Sequence, residues 1–462
     1  MALLLAAADA HAARVRFSGE QYVYAATFAN RNFTGWSDDG SRTEDAFTIW
    51  QRLRLRTDYA VSDALAFSFW LQADNTPWGD GFLAVDSPAV AVQVFQAFLK
   101  FSVPGTRAEV TAGKFTTTLP QSGAFSGSAV LDTEYTSLAV RLPLSDSASL
   151  VASCGRLFSY ADALEDVSTH PRGVMDLAVA TLETSPGGVE FTPWVAAGLL
   201  WRAGASTPYA GTDGPPDLGY IRRQLLSTGY FTGNPGFRRD AAPYVWAGFA
   251  FKANAGDCNL YADLAAASGG LGDSPKNTRR GLFADAAVEY AGFSRVTPRL
   301  CLWWGSGEDA DTGNGSERLP TIVRTWNPGV SYLFSTGQVF DNTTSVDADP
   351  TGSWGAAAVL DGMALLEGLS SRLTLAFMGG TSDPAPFRRS VAVSGPGYMA
   401  VMGKNLVAGE YLLGASFDHE YALAGGFTLV AETGWARAGG LDGSVWGRRF
   451  VNAARDSWKI AA

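Results

Sequence analysis

The stretch FTIWQRLRLRTDYAVSDALAFSFWLQA, residues 47–73, alternates apolar and polar side chains along two runs that are joined by a short connection. Apolar residues dominate the odd positions, from Phe47 to Leu55 and again from Leu65 to Ala73. Successive side chains of a strand point to opposite faces, so each run has one hydrocarbon face and one polar face. The connection is only long enough for a turn. The stretch therefore predicts a hairpin of two amphipathic strands.

The composition indicates a membrane protein that crosses the membrane without helices. Of the 462 residues, 47% are hydrophobic, 12% are aromatic, only 17% are charged, and 52 are glycine. The mean hydropathy is +0.02, yet no run after the first few residues approaches the ~20 apolar residues that a transmembrane helix needs. This composition is typical of a transmembrane β-barrel, because half of every strand is polar. The net charge of −10 argues against nucleic-acid binding, which needs a basic face.

The connections between the predicted strands fall into two classes, and short turns alternate with long polar loops. An outer-membrane barrel has this arrangement, with its turns at the periplasmic end and its loops outside, whereas a soluble sandwich has no reason to sort loop lengths by end. The pattern predicts an all-β fold over residues 13–462, a single transmembrane antiparallel β-barrel of 16–18 strands, with 18 as the best count. The longest predicted loops are 203–240, 305–353 and 379–408.

Residues 1–12 are interpreted as the remnant of a secretory signal peptide. Leu3 to Ala8 forms an apolar core, and Ala10-His11-Ala12 has the form of a cleavage site. The segment lacks a basic start, and an ordinary apolar N-terminus is the alternative interpretation. Together with the strand pattern, a signal of this kind predicts the bacterial outer membrane, with its lipid and lipopolysaccharide around the barrel.

The residue sets of common catalytic sites are absent from the sequence. Its three histidines are His11, His170 and His419. It has no nucleophile elbow, no phosphate-binding glycine loop and no paired Cys-x-x-Cys motif. The residue patterns that nucleophilic catalysis and zinc binding require are therefore missing. His419 stands between Asp418 and Glu420, but neighbours on a strand point apart. The sequence predicts a protein that is not an enzyme and has no cofactor.

A basic ladder of Arg52, Arg54 and Arg56 follows the polar face of the first run. Hydration of a polar lumen is its plain interpretation. Its functional interpretation is one wall of a constriction. Guanidinium groups at a spacing of ~7 Å repel one another unless carboxylates or anionic solutes neutralise their charge. A basic wall opposite an acidic wall would set a transverse field across a narrow pore. The other predicted pore-lining residues are Asp74, Asp132, Glu134, Arg295 and Arg299, with Asp263, Asp285 and Glu289 as a further acidic set.

Two further patterns predict packing against the barrel wall. The predicted strands Val90–Val103, Val189–Trp201 and Trp354–Leu366 are apolar on both faces. This suits either a subunit interface or a stretch of wall that is covered by an inserted loop. The short loop at residues 116–128 follows the fifth predicted strand on the outer side, and it is a candidate to fold inward and narrow the pore.

One loop segment, residues 308–317, places oxygen ligands around glycines as calcium loops do. The candidate ligands are Glu308, Asp309, Asp311 and Asn314. The segment lacks the spacing and the final glutamate of an EF-hand, and a solvated acidic loop is the competing interpretation. A structural calcium ion is therefore a hypothesis for this loop.

Several short motifs carry a resemblance to a known family: Trp50–Asp58, the turn Ser62–Leu65, Trp78-Gly79, Gly305–Asp309 and Arg318–Ile322. With them the chain resembles the outer-membrane homotrimeric porins of sulfate-reducing, Desulfovibrio-type bacteria over most of its length. The resemblance implies a trimer of water-filled barrels that pass small hydrophilic solutes. Barrels of this type usually finish on an aromatic residue, and the end of this sequence, WKIAA, departs from that pattern. A truncated or incompletely read sequence is the simplest account of the departure.

These observations predict a homotrimeric porin for the passive diffusion of small hydrophilic solutes and ions. The alternative is a substrate-specific channel with a saturable anion or organic-acid site on the arginine ladder. Saturation of the conductance by a solute would mark that alternative. A third hypothesis is a soluble secreted β-protein of the adhesin type, which heat-modifiable gel migration together with a need for detergent would exclude.

Overall fold

The chain forms one closed antiparallel barrel of eighteen strands in the computed structural model. The structure describes residues 14–30, 33, 46–79, 83–86, 92–125, 127–158, 175–201, 241–270, 275, 278–311, 313–322, 351–388 and 406–462. The predicted signal at 1–12 and the predicted loop at 203–240 lie outside these residues. The strands are β1 (Arg14–Ala29), β2 (Ala46–Ser62), β3 (Leu65–Pro77), β4 (Gln93–Ser102), β5 (Glu109–Thr118), β6 (Asp132–Ser145), β7 (Ala148–Phe158), β8 (Met175–Thr184), β9 (Val189–Trp201), β10 (Ala241–Ala255), β11 (Cys258–Gly270), β12 (Thr278–Tyr290), β13 (Thr297–Gly305), β14 (Ser353–Leu366), β15 (Leu369–Gly380), β16 (Tyr411–Ala422), β17 (Thr428–Gly439) and β18 (Ser457–Ala461).

Each strand pairs with the next along the chain, and β1 closes the barrel by pairing with both β2 and β18. At the closing seam Ala29 lies opposite Trp458 and Ala26 lies opposite Ala461. The prediction of an all-β barrel, with 18 as the best strand count, is confirmed. A closed sheet leaves no long row of unpaired backbone groups facing hydrocarbon, which is the condition for a sheet to span lipid.

Short turns and short helices make up the rest of the described regular structure. The turns Pro186–Gly188 and Ala424–Gly426 join β8 to β9 and β16 to β17, as the sequence predicts. In each the central glycine has a positive φ, 59° at Gly187 and 76° at Gly425, a conformation that glycine adopts without steric cost. Two short helices, Gly443–Trp446 and Arg448–Ala453, precede β18. In the described part of the chain no helix has the length and apolarity to cross a membrane.

Side chains face the two sides of the wall as the alternation predicts. On β2 the odd-numbered Phe47 and Leu55 are 65% and 51% exposed, and they point outward. The even-numbered Arg52 is only 8% exposed and points into the barrel, as does Ser68 on β3. The outer surface of this hairpin is therefore hydrocarbon and its inner surface is polar, which is the arrangement of a barrel in lipid.

The interior of the barrel is partly filled by inserted loops. The connection from β5 to β6, residues 119–131, folds inward, as the sequence analysis considered for residues 116–128. Phe125 of this loop packs edge to face on Trp303 of β13, at 5.9 Å between ring centroids. The indole of Trp246 on β10 donates to the carbonyl of Pro320, in the loop after β13. Loops thus cover the apolar inner surface of this part of the wall.

Candidate functional site

The arginine ladder stands on the inner face of β2, with each guanidinium over an aromatic ring. These contacts have cation–π geometry, which stabilises a cation most when water is partly excluded. The guanidinium carbons of Arg52, Arg54 and Arg56 lie 4.7, 4.3 and 4.6 Å from the ring centroids of Tyr22, Phe95 and Trp70. The rings come from β1, β4 and β3, so the ladder is held by four consecutive positions in the sheet.

Among the described side chains, carboxylates on β1 and β2 pair with the guanidinium groups of the ladder. Glu20 lies directly opposite Arg54 in the pairing of β1 with β2. Its Oε1 is 3.3 Å from Nη1 of Arg54 and 3.7 Å from Nη2 of Arg52. Asp58 Oδ2 is 2.7 Å from Nε of Arg56. Each of the three guanidinium groups of the ladder therefore lies near a carboxylate.

Neutral hydrogen-bond partners fix the orientation of these charged groups. Nε of Arg54 donates to Oε1 of Gln72 at 2.6 Å. Ser68 donates its hydroxyl to Asp58 at 2.5 Å, and its oxygen accepts from the indole of Trp70 at 3.2 Å. Groups held on strands by neighbours of this kind are preorganised, because little side-chain freedom remains to be lost when an anion binds.

The inserted loop 119–131 is held to the far wall by charged groups. The backbone N–H and the hydroxyl of Ser122 donate to the two carboxylate oxygens of Asp263 on β11, at 2.7 and 2.6 Å. Arg299 on β13 donates Nη2 to the carbonyls of Gly123 and Ala124, the latter at 2.6 Å. Since these partners lie on β11 and β13, the loop crosses the lumen and narrows it.

A second inserted loop, residues 306–322, lines the same part of the interior and joins the first. The N–H of Ile322 donates to the carbonyl of Val130 at 2.8 Å. Arg279 on β12, which is almost fully buried, donates to the carbonyls of Arg318 and Leu319, both at 3.1 Å. The loops therefore cover the side of the barrel opposite the ladder, while the Arg56 side chain on β2 stays 40% exposed.

A polar cavity of about 640 Å³ lies between the first inserted loop and the short-turn end of the barrel. Gln121 of the loop borders it on one side. Arg141, Ser149 and Glu183 line it from β6, β7 and β8, and Arg141 pairs with Glu183. A hydrophilic chamber of this size on the inner wall offers room for small hydrated solutes on the short-turn side of the constriction.

Two of the predicted acidic pore-lining residues, Asp132 and Glu134, lie away from the ladder. The side chain of Asp74 lies outside the described part of the structure. Asp132 and Glu134 have the parity of Leu138 on β6, which is exposed and points outward, and not that of the buried Tyr135. Their carboxylates accept from Thr118 and Thr116 on the neighbouring strand. This register argues against a place for them on the channel wall.

The predicted basic pair of Arg295 and Arg299 is also divided. Arg299 lies on the inner face of β13, next to Glu289 and over the ring of Tyr261. Arg295 lies in the turn before β13, because the strand begins at Thr297. Arg295 therefore lies outside the strand that carries Arg299. Asp263, Asp285 and Glu289 do share the inner face of the wall, where Asp263 holds the inserted loop.

The candidate calcium ligands are engaged within their own loop. Asp309 accepts from the N–H of Asp311 and from the side-chain amide of Asn314, both at 2.7 Å. Glu308 is buried and accepts from the hydroxyl of Ser316 at 2.5 Å, and its burial raises the pKa of this carboxyl. Among the described residues no three carboxylate, His or Cys groups are arranged to hold a metal ion. The calcium site remains a hypothesis.

The sequence analysis missed the groups that surround the ladder. Asp58 shares the parity of Arg56 on β2, two residues away. Glu20 and Tyr22 follow only once β1 is set in register against β2, with Glu20 opposite Arg54 and Tyr22 opposite Arg52. A signal was present, because Glu20 and Tyr22 share one parity on the first predicted strand. The register itself depends on barrel closure, which no local pattern specifies.

Comparison with solved structures agrees with this architecture. The chain matches the crystal structure of Pseudomonas aeruginosa OccK11 (OpdR) at a TM-score of 0.51 and 11% identity, over 97% of this chain and 94% of that one. It matches P. aeruginosa OccK1 (OpdK), and OpdK with vanillate, at 0.50 and 11%, over 96% of this chain and 97% of each of those. This chain has the OprD/Occ porin fold. No protein-family model and no curated protein matches it.

Proposed function

We propose that the protein is an outer-membrane porin that passes small hydrophilic solutes and ions by passive diffusion and favours anions. The observation that carries the proposal is the arginine ladder, a row of three guanidinium groups held on the inner wall of a closed barrel. A row of guanidinium groups in a narrow pore presents positive charge and N–H donors to a passing anion. No catalytic step is assigned to the protein.

Planar-bilayer recordings of the purified protein test the proposal. Stepwise conductance is expected, and under a salt gradient the reversal potential should have the sign of an anion-preferring pore. Properly folded protein, as judged by heat-modifiable gel migration, that gives no conductance would overturn the proposal. A reversal potential with the sign of a cation-preferring pore would be consistent with a porin but would contradict the role assigned to the ladder.

A second candidate function is a substrate-specific channel for organic anions. The stacking of each guanidinium on a ring favours it, because an aromatic carboxylate finds a cation and apolar surface at the same place. One of the solved structures of the same fold is described as OpdK with vanillate, an aromatic carboxylate. Vanillate is therefore a suitable probe here. Saturable block of the current by vanillate, and no block by an uncharged phenol, would support this function.

The homotrimer belongs to the same proposal, and so do the contacts with outer-membrane lipid and lipopolysaccharide. The resemblance to the porins of sulfate-reducing bacteria supports the trimer. The structural calcium ion at residues 308–317 is proposed separately. Elemental analysis of dialysed protein would test it.

A further inference from the structure

The wall of the barrel has a notch at its loop end, because β18 is much shorter than the strands on either side of it. The ladder between β17 and β18 ends where Ala436 lies opposite Ser457, whereas β17 continues to Gly439. A cavity of about 620 Å³ lies at this notch. It is lined by the end of β17, by the segment that leads into β18 and by Asn30, which follows β1. We call it the seam cavity.

The charged and aromatic side chains of the seam cavity belong to the outer face of the wall. On β17 the buried Glu432 and Ala436 point into the barrel, so Arg437 has the outward parity. On β18 the buried Lys459 points inward, and Trp458 is 53% exposed on the outside. The seam cavity therefore faces the membrane and not the channel.

The outward side chains of β17 and β18 follow an order from apolar to cationic toward the loop end. Ile460, which is 65% exposed, lies furthest from that end. Trp458 comes next and contacts Trp435, with 6.3 Å between the ring centroids. Arg437 lies two residues beyond Trp435, on the side of the loops. This order matches the acyl chain, the interface and the headgroup of a lipid, because indoles favour the membrane interface and basic pockets bind headgroups.

Two arginines present guanidinium groups at the seam cavity, and one of them has no carboxylate partner in the described part of the chain. The backbone of Arg455 is fixed by its N–H, which donates to the carbonyl of Phe33 at 2.5 Å. Its Nη1 donates to the carbonyls of Asn452 and Ala454, at 3.3 and 3.0 Å. No described residue accepts from its Nε or Nη2, so these donors are open to a ligand. The second arginine is Arg437, whose side chain is 62% exposed.

Among the described lining residues of the seam cavity the one carboxylate is Asp456, and it is engaged by other groups. Its Oδ1 is 3.4 Å from Nε of Arg437, and its Oδ2 accepts from the indole of Trp435 at 3.1 Å. Pairing with Asp456 does not enclose the exposed side chain of Arg437. The described lining thus offers the N–H donors of two guanidinium groups, which suits an anion with several oxygen acceptors.

We propose that the seam cavity binds the phosphate of an anionic lipid in the outer leaflet, with an acyl chain along Trp458 and Ile460. Guanidinium groups bind phosphate oxygens through pairs of N–H donors. A free phosphate ion would meet the same donors but would gain nothing from the exposed indole and hydrocarbon below them. The inference rests on that part of the proposed function which sets the barrel among outer-membrane lipids, and it does not depend on conduction.

Native mass spectrometry of the purified 48.9 kDa chain in a mild detergent tests the inference. The probes are phosphatidylglycerol and monogalactosyl diacylglycerol, which has the same acyl chains but no phosphate. The wild type should retain phosphatidylglycerol and release the galactolipid. Arg437→Leu/Arg455→Leu should retain about tenfold less phosphatidylglycerol, because it removes both sets of charged donors. The matched control, Arg107→Leu/Arg280→Leu, removes two exposed arginines away from the seam and should retain the lipid.

A second variant should bind the lipid more tightly, which a damaged fold would not do. Asp456→Asn removes a negative charge beside the phosphate and keeps an oxygen that the indole of Trp435 is able to bind. The dissociation constant for phosphatidylglycerol is expected to fall about threefold, as the loss of a repelling charge near the interface allows. Heat-modifiable gel migration shows whether each variant has folded. Weaker binding by folded Asp456→Asn would contradict the inference.

Equal retention of phosphatidylglycerol by the wild type and by folded Arg437→Leu/Arg455→Leu would overturn the inference, and so would equal retention of the galactolipid. Inorganic phosphate that binds the wild type as tightly as the phospholipid would assign the seam cavity to a free anion instead. Conductance separates this failure from that of the proposed function. Arg437→Leu/Arg455→Leu should conduct as the wild type does, and a wild type that retains the lipid without conducting overturns the porin alone.

Discussion

At the scale of single residues, the protein stabilises a row of like charges by giving each guanidinium several partners. Arg54 contacts a carboxylate, an amide oxygen and a ring face at once. Each contact satisfies a different part of the group, because the N–H fork binds in its plane and the ring stacks on its face. The ladder thus keeps its charge without burying an unpaired cation.

Replacing Arg54 tests whether the ladder sets ion preference. Arg54→Leu removes one positive charge and leaves Glu20 with Arg52 as its remaining ladder partner. The reversal potential under a salt gradient is expected to shift in the direction of a more cation-selective channel. The reason is that the fixed charge on the wall of a narrow pore sets the local concentrations of anions and cations. Arg437→Leu, on the outward face of β17, is the control and should leave the potential unchanged. Equal potentials in both variants would contradict the role of the ladder.

A pH-dependent contact is expected between two loops outside the strands. Asp442 accepts from the hydroxyl and the N–H of Ser444, at 2.6 and 2.7 Å, and pairs with Arg388 at 2.6 Å. These contacts, above all the hydroxyl of Ser444, lower the pKa of Asp442 from 3.8 to about 2. An acid with a depressed pKa stabilises the fold above its unfolded value and loses this contribution as the pH falls through the folded value. The protection factor of the Ser444 amide against hydrogen exchange, taken relative to an unstructured amide at the same pH, should stay high down to about pH 4 and fall toward about pH 2.

The control for this prediction separates Asp442 from its neighbour Glu410. Glu410 accepts from the N–H of Asp442, and burial raises its pKa above 4.5. Its own titration therefore falls at higher pH and is distinguishable. Asp442→Ala should remove the low-pH step and cost about 1 kcal/mol of local stability, as the loss of a helix N-cap does. A low-pH step that persists in this variant would refute the assignment.

At the scale of elements, the width of the channel depends on the loop 119–131 more than on the strands. The loop is joined to the far wall by Ser122 and by the carbonyls that Arg299 binds. Hydrogen bonds to a charged group contribute about 1.5–3 kcal/mol each, which is enough to hold a short loop in one position. The inserted loop is therefore expected to be a fixed constriction.

Removing the loop's carboxylate partner should widen the pore. Asp263→Ala deletes the acceptor of both Ser122 bonds, whereas Ser122→Ala deletes only the hydroxyl bond and leaves the N–H bond. Unitary conductance should rise in the order wild type, Ser122→Ala, Asp263→Ala. Thr118→Ala breaks a hydrogen bond to Asp132 at the start of the loop and serves as the control. Identical conductance in all four proteins would show that this contact does not set the pore width.

At the scale of the whole molecule, the barrel depends on a closing strand with only five residues. Lys459 of β18 bonds Glu432 of β17 at 2.6 Å, and both side chains are at most 1% exposed. A charge pair buried to this degree contributes little over an apolar pair, but breaking it is costly because one charge stays buried without its partner. The closing seam is thus sensitive to a single substitution.

Lys459→Met is expected to destabilise the barrel by about 3–5 kcal/mol, because it leaves Glu432 without its cation. Lys459→Met/Glu432→Leu should recover much of this loss, since the isolated charge is gone. The temperature at which the folded gel band converts to the unfolded one measures both effects. Lys252→Met is the control, because its pair with Glu190 is solvent-exposed and such pairs contribute about 0–1 kcal/mol. Equal shifts in Lys459→Met and Lys252→Met would contradict this account.

The sequence by itself determined the number of strands to within two, their facing and the alternation of turns with loops. These properties follow from a period of two in side-chain polarity and from turn residues such as Gly187, which act over a few neighbouring positions. It also predicted the inner position of the arginine ladder, since Arg52, Arg54 and Arg56 share the polar parity of β2.

Only the tertiary structure decided what these residues contact. Ser122 bonds Asp263 across 141 positions of sequence, and Arg299 reaches Ala124 across 175. Such pairs form when the barrel closes and brings opposite walls together, so no local pattern encodes them. The pairing of β1 with β2 likewise decided that Glu20 lies opposite Arg54 and pairs with the ladder. Whether a side chain points inward or outward depends on its position in its own strand. Which residue of another strand it meets depends on the register of the strands around the whole barrel.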